Sequence, residues 1–148
     1  MQYAREPLRG SDIVRIIVQK FGGTSMATSI SRRHVIKHIC SVLEEQAKLV
    51  VVVSAMGRKE DPYATDTFLH WIEQNGGALP PRETDLLLSC GEIISAATLC
   101  SLLHAEGVPC AVLTGAQAGI ITNSQHGDAR ILSINPTAVF DRLKQDPV

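Results

Sequence analysis

Leu49-Val50-Val51-Val52-Val53 is a run of five apolar residues with no polar alternation. A strand that is apolar at every position is usually buried on both faces, as in a sheet covered by helices. Upstream of it, residues 31–48 carry apolar side chains at helical spacing. Val35, Ile36, Ile39, Cys40, Val42, Leu43 and Ala47 share one face, while Arg32, Arg33, Lys37, Ser41, Glu44, Glu45 and Lys48 fall mostly on the other. Before that helix, Ile13-Val14-Arg15-Ile16-Ile17-Val18 reads as another strand, rich in β-branched residues. Strand, helix and strand within about 40 residues predict a parallel pair joined by a crossover helix.

Downstream, Asp66 to Gln74 reads as a short helix stopped by Asn75-Gly76-Gly77. Pro80-Pro81 opens a longer one, because proline suits the first helical turn, and Glu83 and Asp85 suit the positive end of its dipole. Residues 86–103 are apolar on almost every side, which predicts a central helix ending at Gly107. Cys110 to Leu113, Gly119 to Thr122 and Ala129 to Leu132 read as short strands, and Asn135-Pro136 starts a last helix. Residues 1–12 read as a flexible lead-in.

Composition narrows the function classes. The chain has 148 residues, 45% hydrophobic and 20% charged, a globular balance that excludes bulk disorder. Aromatics are only 4%, so the core is aliphatic, as suits a parallel α/β sheet. A net charge of -1 leaves no basic excess for nucleic acid and no basic patch for a lipid surface. No apolar run approaches about 20 residues, so no membrane span is expected. Cys40, Cys90, Cys100 and Cys110 form no C-x-x-C pair, which points to reduced thiols in a cytoplasmic protein.

Three stretches could carry chemistry. Gln19-Lys20-Phe21-Gly22-Gly23-Thr24-Ser25 lies at the carboxyl end of a strand, where open α/β sheets bind ligands. Two glycines let backbone N–H groups approach phosphate oxygens, Lys20 adds a charge, and Thr24 and Ser25 add hydroxyls; a plain Gly-Gly turn is the alternative. Val53-Ser54-Ala55-Met56-Gly57 ends the next strand on the same edge, so both loops should face one crevice. Ser89-Cys90-Gly91-Glu92 sets a carboxylate on an apolar stripe, which is costly unless paired with a cationic ligand group or an internal Arg or Lys. His34 and His38 stand four apart on the first helix, but no third metal ligand is evident, so they read as a solvated face and no metal site is expected.

Together these stretches resemble the aspartokinases. The similarity runs through Val18 to Ser25, Val51 to Gly57, Arg82-Glu83-Thr84-Asp85-Leu86-Leu87-Leu88-Ser89-Cys90-Gly91-Glu92, Leu113 to Gly119 and His126 to Ile131, in order and with family-like spacing. The resemblance implies the amino acid kinase fold, a three-layer α/β/α sandwich with a mainly parallel sheet. It covers residues 13–148, which would form the N-terminal, aspartate-binding part of a kinase domain. It implies phosphoryl transfer from ATP, with Mg, to the side-chain carboxylate of L-aspartate, in the route to lysine, threonine and methionine. By the family pattern Lys20 would stabilise the transferring phosphoryl group. Lys20, Phe21, Gly22, Gly23, Thr24 and Ser25 would face ATP. Ser54 and Thr65 would line the aspartate pocket, and Glu92 would pair with the substrate α-ammonium. Met26 and the dozen residues ahead of Ile13 depart from the pattern. The family's later R-G-G-S-D-like stretch, its nucleoside lobe and its regulatory domains are not in this sequence. That implies a portion inactive alone, forming a homodimer or assembling with the missing part. A kinase for another small acid, or a non-catalytic assembly module, are the alternatives.

Overall fold

The computed structural model describes residues 15–148. The expected lead-in of residues 1–12 and the first two strand residues, Ile13 and Val14, lie outside the described residues. The elements are β1 (Ile16–Phe21), α1 (Gly23–Ala27), α2 (Ser29–Leu43), β2 (Lys48–Val53), α3 (Thr65–Asn75), α4 (Pro81–Ala105), β3 (Ile120–Thr122), β4 (Ile131–Ile134) and α5 (Thr137–Gln145).

β1 and β2 pair in parallel, from Ile16 opposite Lys48 to Phe21 opposite Val53. The crossover is α2, as the sequence pattern requires. Its start is fixed by a capping box in which Thr28 Oγ1 accepts from Ser31 N–H and Ser31 Oγ accepts from Thr28 N–H, each at 3.0 Å. Three boundaries differ from expectation. β1 continues through Lys20 and Phe21, because its register with β2 holds to the end of both strands. Thr24 and Ser25 sit in the short helix α1 rather than in a loop. The first long helix also ends early, since Gln46 adopts φ 58° in the turn that feeds β2.

Leu49, Val51 and Val53 face a core of Met26, Val35, Ile36, Ile39, Met56, Leu99, Leu103 and Val108, drawn mainly from α1, α2 and α4. The opposite face of the pair carries Ile16, Val18 and Val52, all exposed. α4 is central but not buried all round. Gly91, Ser95, Leu99 and Leu103 are buried, while Leu86 and Ile93 are exposed. α4 is also long and apolar enough to cross a membrane by length and composition, which corrects the expectation drawn from run length. The core helix of a globular protein passes the same measure, and α4 packs on α2, α3 and β2.

Cys110–Leu113 joins no ladder, against expectation. The other expected short strands form β3 and β4, an antiparallel pair separate from β1 and β2, with an irregularity between Ile121 and Thr122.

Candidate functional site

β1 and β2 finish on the same edge, so the chain segments after Phe21 and Val53 leave side by side. Gly22 caps α1, and its carbonyl accepts from Ser25 N–H at 3.0 Å and Met26 N–H at 3.3 Å. The amides of Gly23 and Thr24 lie at the open end of that turn, where helical N–H groups have no partner within the helix. Lys20, on the last turn of strand before this loop, places Nζ 3.8 Å from where a Cβ on Gly22 would stand. The ammonium therefore lies over the Gly22 backbone.

Gly23 has a different reason to be glycine. A Cβ there would lie 2.7 Å from Ala55 O and 2.8 Å from Gly57 O, and Gly57 N–H donates to Gly23 O at 3.1 Å. The two strand-end loops are thus locked backbone to backbone. Gly57 has φ 86°, a left-handed conformation that favours glycine. The loop beyond it is closed by Asp61, whose Oδ2 accepts from Arg58 N–H at 2.8 Å.

Gly91 permits a third close approach. A Cβ there would meet Ala55 Cβ at 2.8 Å and Tyr63 O at 3.3 Å, so α4 presses against the segment that follows β2. Beside it, Glu92 Oε1 accepts from Ala55 N–H at a long 3.4 Å. Among the described residues no Arg or Lys forms an ion pair with Glu92, so the internal cation considered for it is absent there. Ser54 is half-buried just beyond β2, and its N–H donates to Phe21 O at 3.2 Å. Thr65, also half-buried, opens α3 directly after the buried Ala64. The structure thus brings the Lys20–Ser25 loop, Ser54 and Glu92 to one edge, with Thr65 at the end of the segment that runs from Ser54 past Gly91.

Arg58 was not singled out in the sequence. Its Nε donates to Thr24 Oγ1 at 3.3 Å, which brings a second cation to the glycine loop. The only local signal was the charge of its own loop. Asp85 was likewise legible only as a favourable helix-end charge. Its Oδ2 accepts from Gly127 N–H at 2.9 Å and faces His126 Nδ1 at 3.3 Å, tying the start of α4 to the turn before β4.

Cys100, His104 and Cys110 bring three possible metal-ligand atoms within 4.8 Å of one another, with the two Sγ atoms 3.3 Å apart. Burial, and then the hydrogen bond with the Cys100 thiol, pushes the Cys110 thiol up to about 12, so it stays protonated at neutral pH. Cys100 lies about two helical turns beyond Glu92, away from the strand ends. The sequence reading missed this cluster because it forms only when the chain after α4 folds back.

Two cavities flank these elements. One of about 240 Å³ is lined by Ala27, Arg32, Met56, Asp61, Pro62, Tyr63 and Thr98, beside the paired loops. The larger, about 440 Å³, runs along β2, α4 and residues 110–115 and reaches the strand-end edge at Val53, Ser89 and Glu92. It is lined mainly by apolar side chains, so it is not where a charged ligand would sit. Chemically, the strand-end edge offers two cations and free amides at one side and a carboxylate at the other. That suits a small molecule with both an anionic and a cationic group, beside a phosphate.

The Amino acid kinase family profile matches residues 15–148. The chain is 52% identical over 130 residues to Aspartokinase 1 of Bacillus subtilis, covering 88% of this chain and 32% of that relative. It is 38% identical over 133 residues to the aspartokinase of Mycolicibacterium smegmatis, covering 90% of this chain and 30% of the relative. The chain therefore spans about a third of the length of the curated relatives it matches. Among solved structures, aspartate kinase from Synechocystis superposes with TM-score 0.70 at 34% identity, over 86% of this chain and 20% of the other. Aspartokinase III of E. coli, in complex with aspartate and ADP, superposes with TM-score 0.58 at 17% identity, over 88% and 37% of the two chains, a likeness of fold.

Proposed function

The chain belongs to the amino acid kinase family, and from that premise we propose that it is the aspartate-binding portion of an aspartate kinase. The reaction is transfer of the γ-phosphoryl group of ATP to the side-chain carboxylate of L-aspartate, giving 4-phospho-L-aspartate. The observation that carries this reading is the locked pair of strand-end loops, with the Lys20 ammonium over Gly22 and the Glu92 carboxylate facing the same edge without a cationic partner among the described residues.

The aspartate side chain has an ordinary pKa of about 3.9, so it is an anionic nucleophile at neutral pH and needs no general base. Catalysis then rests on position and on charge neutralisation. Lys20 neutralises charge on the transferring phosphoryl group. Phe21, Gly22, Gly23, Thr24 and Ser25 form the loop that meets the ATP phosphates, and Arg58 adds a cation beside Thr24. Ser54 and Thr65 contact the substrate, and Glu92 holds its α-ammonium. ATP enters with Mg as co-substrate, and most of its contacts come from parts of the kinase beyond these residues. The exposed apolar face of β1 and β2 is covered in a homodimer or by the remainder of the kinase. The four free cysteines suit the reducing cytoplasm.

The test is ADP release from ATP with a panel of L-aspartate, L-glutamate, acetylglutamate and nucleoside monophosphates, with hydroxamate formation identifying an acyl phosphate product. A chain completed to the relatives' length turns over with L-aspartate, and the 148-residue chain alone does not. Preference for another acid overturns the substrate, and robust turnover by the short chain overturns its dependence on further lobes.

A further inference from the structure

The last turns of α4 carry Cys100 and His104, four residues apart and so on one face of the helix. The chain then reverses at Gly107, whose φ of 78° closes the helix. Gly107 N–H donates to His104 O at 2.9 Å and Val108 N–H to Leu103 O at 2.9 Å, and Val108 is buried in the core. This fixed turn returns Cys110 to the helix face it has just left. Cys110 Sγ donates to Cys100 Sγ at 3.3 Å, and Cys110 N–H donates to His104 Nε2 at 3.4 Å. One potential ligand atom from each of the three side chains lies within 4.8 Å of the others.

Two sulfurs and an imidazole nitrogen are the ligand types that take zinc, and they do not suit magnesium or calcium. Two sulfurs on one tetrahedral zinc, each about 2.3 Å from it, stand about 3.8 Å apart, so these thiols need to part by only about half an ångström. A disulfide, at about 2.05 Å, requires a larger approach and a two-electron oxidant. The C-terminal end of a helix carries negative partial charge, which favours a cation at this position. Cys100 and Cys110 are half-buried and His104 is exposed, so three protein ligands leave one corner of the tetrahedron to water.

We propose that Cys100, His104 and Cys110 form a site for one zinc-class cation, which pins the end of α4 to the segment that begins at Cys110. Each sulfur that binds loses its proton to water as the sulfur–metal bond forms, and His104 binds as the neutral imidazole. Cys100 lies roughly 12 Å along α4 from Glu92. The site stands apart from the phosphoryl-transfer reading, because it depends only on these three side chains and the Gly107 turn.

The test titrates the reduced, metal-free 148-residue chain with Co²⁺ and then displaces the Co²⁺ with Zn²⁺. One equivalent of Co²⁺ produces the thiolate charge-transfer band and the strong visible bands of a four-coordinate ion, and Zn²⁺ bleaches both. Zn²⁺ also raises the melting temperature, as a ligand of the folded state does. His104→Ala, at an exposed position, keeps the fold and weakens Co²⁺ binding by about tenfold or more. Cys100→Ser removes most of the charge-transfer intensity, whereas Cys90→Ser, outside the cluster, keeps all of it. Absence of the thiolate band in the unsubstituted chain overturns the site, and so does unchanged affinity in His104→Ala or an unmoved melting temperature with Zn²⁺. These three readings decide the matter even where Cys100→Ser does not fold. Formation of a Cys100–Cys110 disulfide in air, with no Co²⁺ bound by the reduced chain, identifies a redox pair and overturns the metal assignment.

Discussion

The edge where β1 and β2 finish and the more apolar β3–β4 hairpin are packed in opposite ways. At the strand-end edge, Gly23 and Gly91 let three chain segments approach closer than side chains would allow. In the hairpin every residue of both strands is exposed, with Ile131 at 60% and Leu132 at 67%. The difference teaches that apolar content does not locate the ordered site. The edge is held by close backbone approach, which fixes where Lys20, Ser54 and Glu92 stand. The hairpin is a two-stranded ladder, marginal by itself, whose apolar faces gain no cover from the described residues.

The contrast can be broken first at Lys20. In a chain of the relatives' length, Lys20→Ala should lower kcat by about 10²–10³-fold, the usual loss when one preorganised group that stabilises transition-state charge is removed. Lys20 is exposed, so the melting temperature should hold. Steady-state kinetics with an unchanged kcat would remove Lys20 from the chemistry.

Next, Gly23→Ala should cost about 1–3 kcal/mol by overpacking against Ala55 O and Gly57 O. Gly22→Ala, with only the flexible end of Lys20 nearby, should stay within about 0.5 kcal/mol. Urea unfolding of the two variants decides this, and equal costs would mean that the loops are not locked as described.

Glu92→Gln in the longer chain should raise KM for L-aspartate about tenfold or more, matching the ~1.5 kcal/mol or greater worth of a hydrogen bond to a charged group. A fall in kcat at constant KM would instead place Glu92 with the phosphoryl group. The smallest effect belongs to the hairpin. Ile131→Thr should change stability by less than about 0.5 kcal/mol, as for other exposed positions. A large drop in melting temperature would show that the hairpin face is covered in solution.

Much of this was readable along the chain. The unbroken Leu49–Val53 run and the helical spacing of Val35, Ile36 and Ile39 gave the parallel unit, because each pattern is carried by near neighbours. The glycine loop after Lys20 and the Glu92 carboxylate on an apolar helix were also legible, since glycine pairs and lone charges in apolar stretches stand out locally. Arg58 was not, because nothing in its loop indicates that its guanidinium returns to Thr24. Nor did the strand-like Cys110–Leu113 reveal that Ala111 N–H would meet Val148 O rather than a strand of a ladder.

By itself the sequence determined the unit of β1, α2 and β2 and the helices α3, α4 and α5, since periodicity and turn residues act over a few positions. Tertiary structure alone decided that Gly23 and Gly91 are packing glycines, that a backbone amide rather than a cation meets Glu92, and that a groove is left between β2 and Ala111. Those facts concern residues far apart in the chain. They are set by how closely two backbones approach, a quantity that no local pattern of residues encodes.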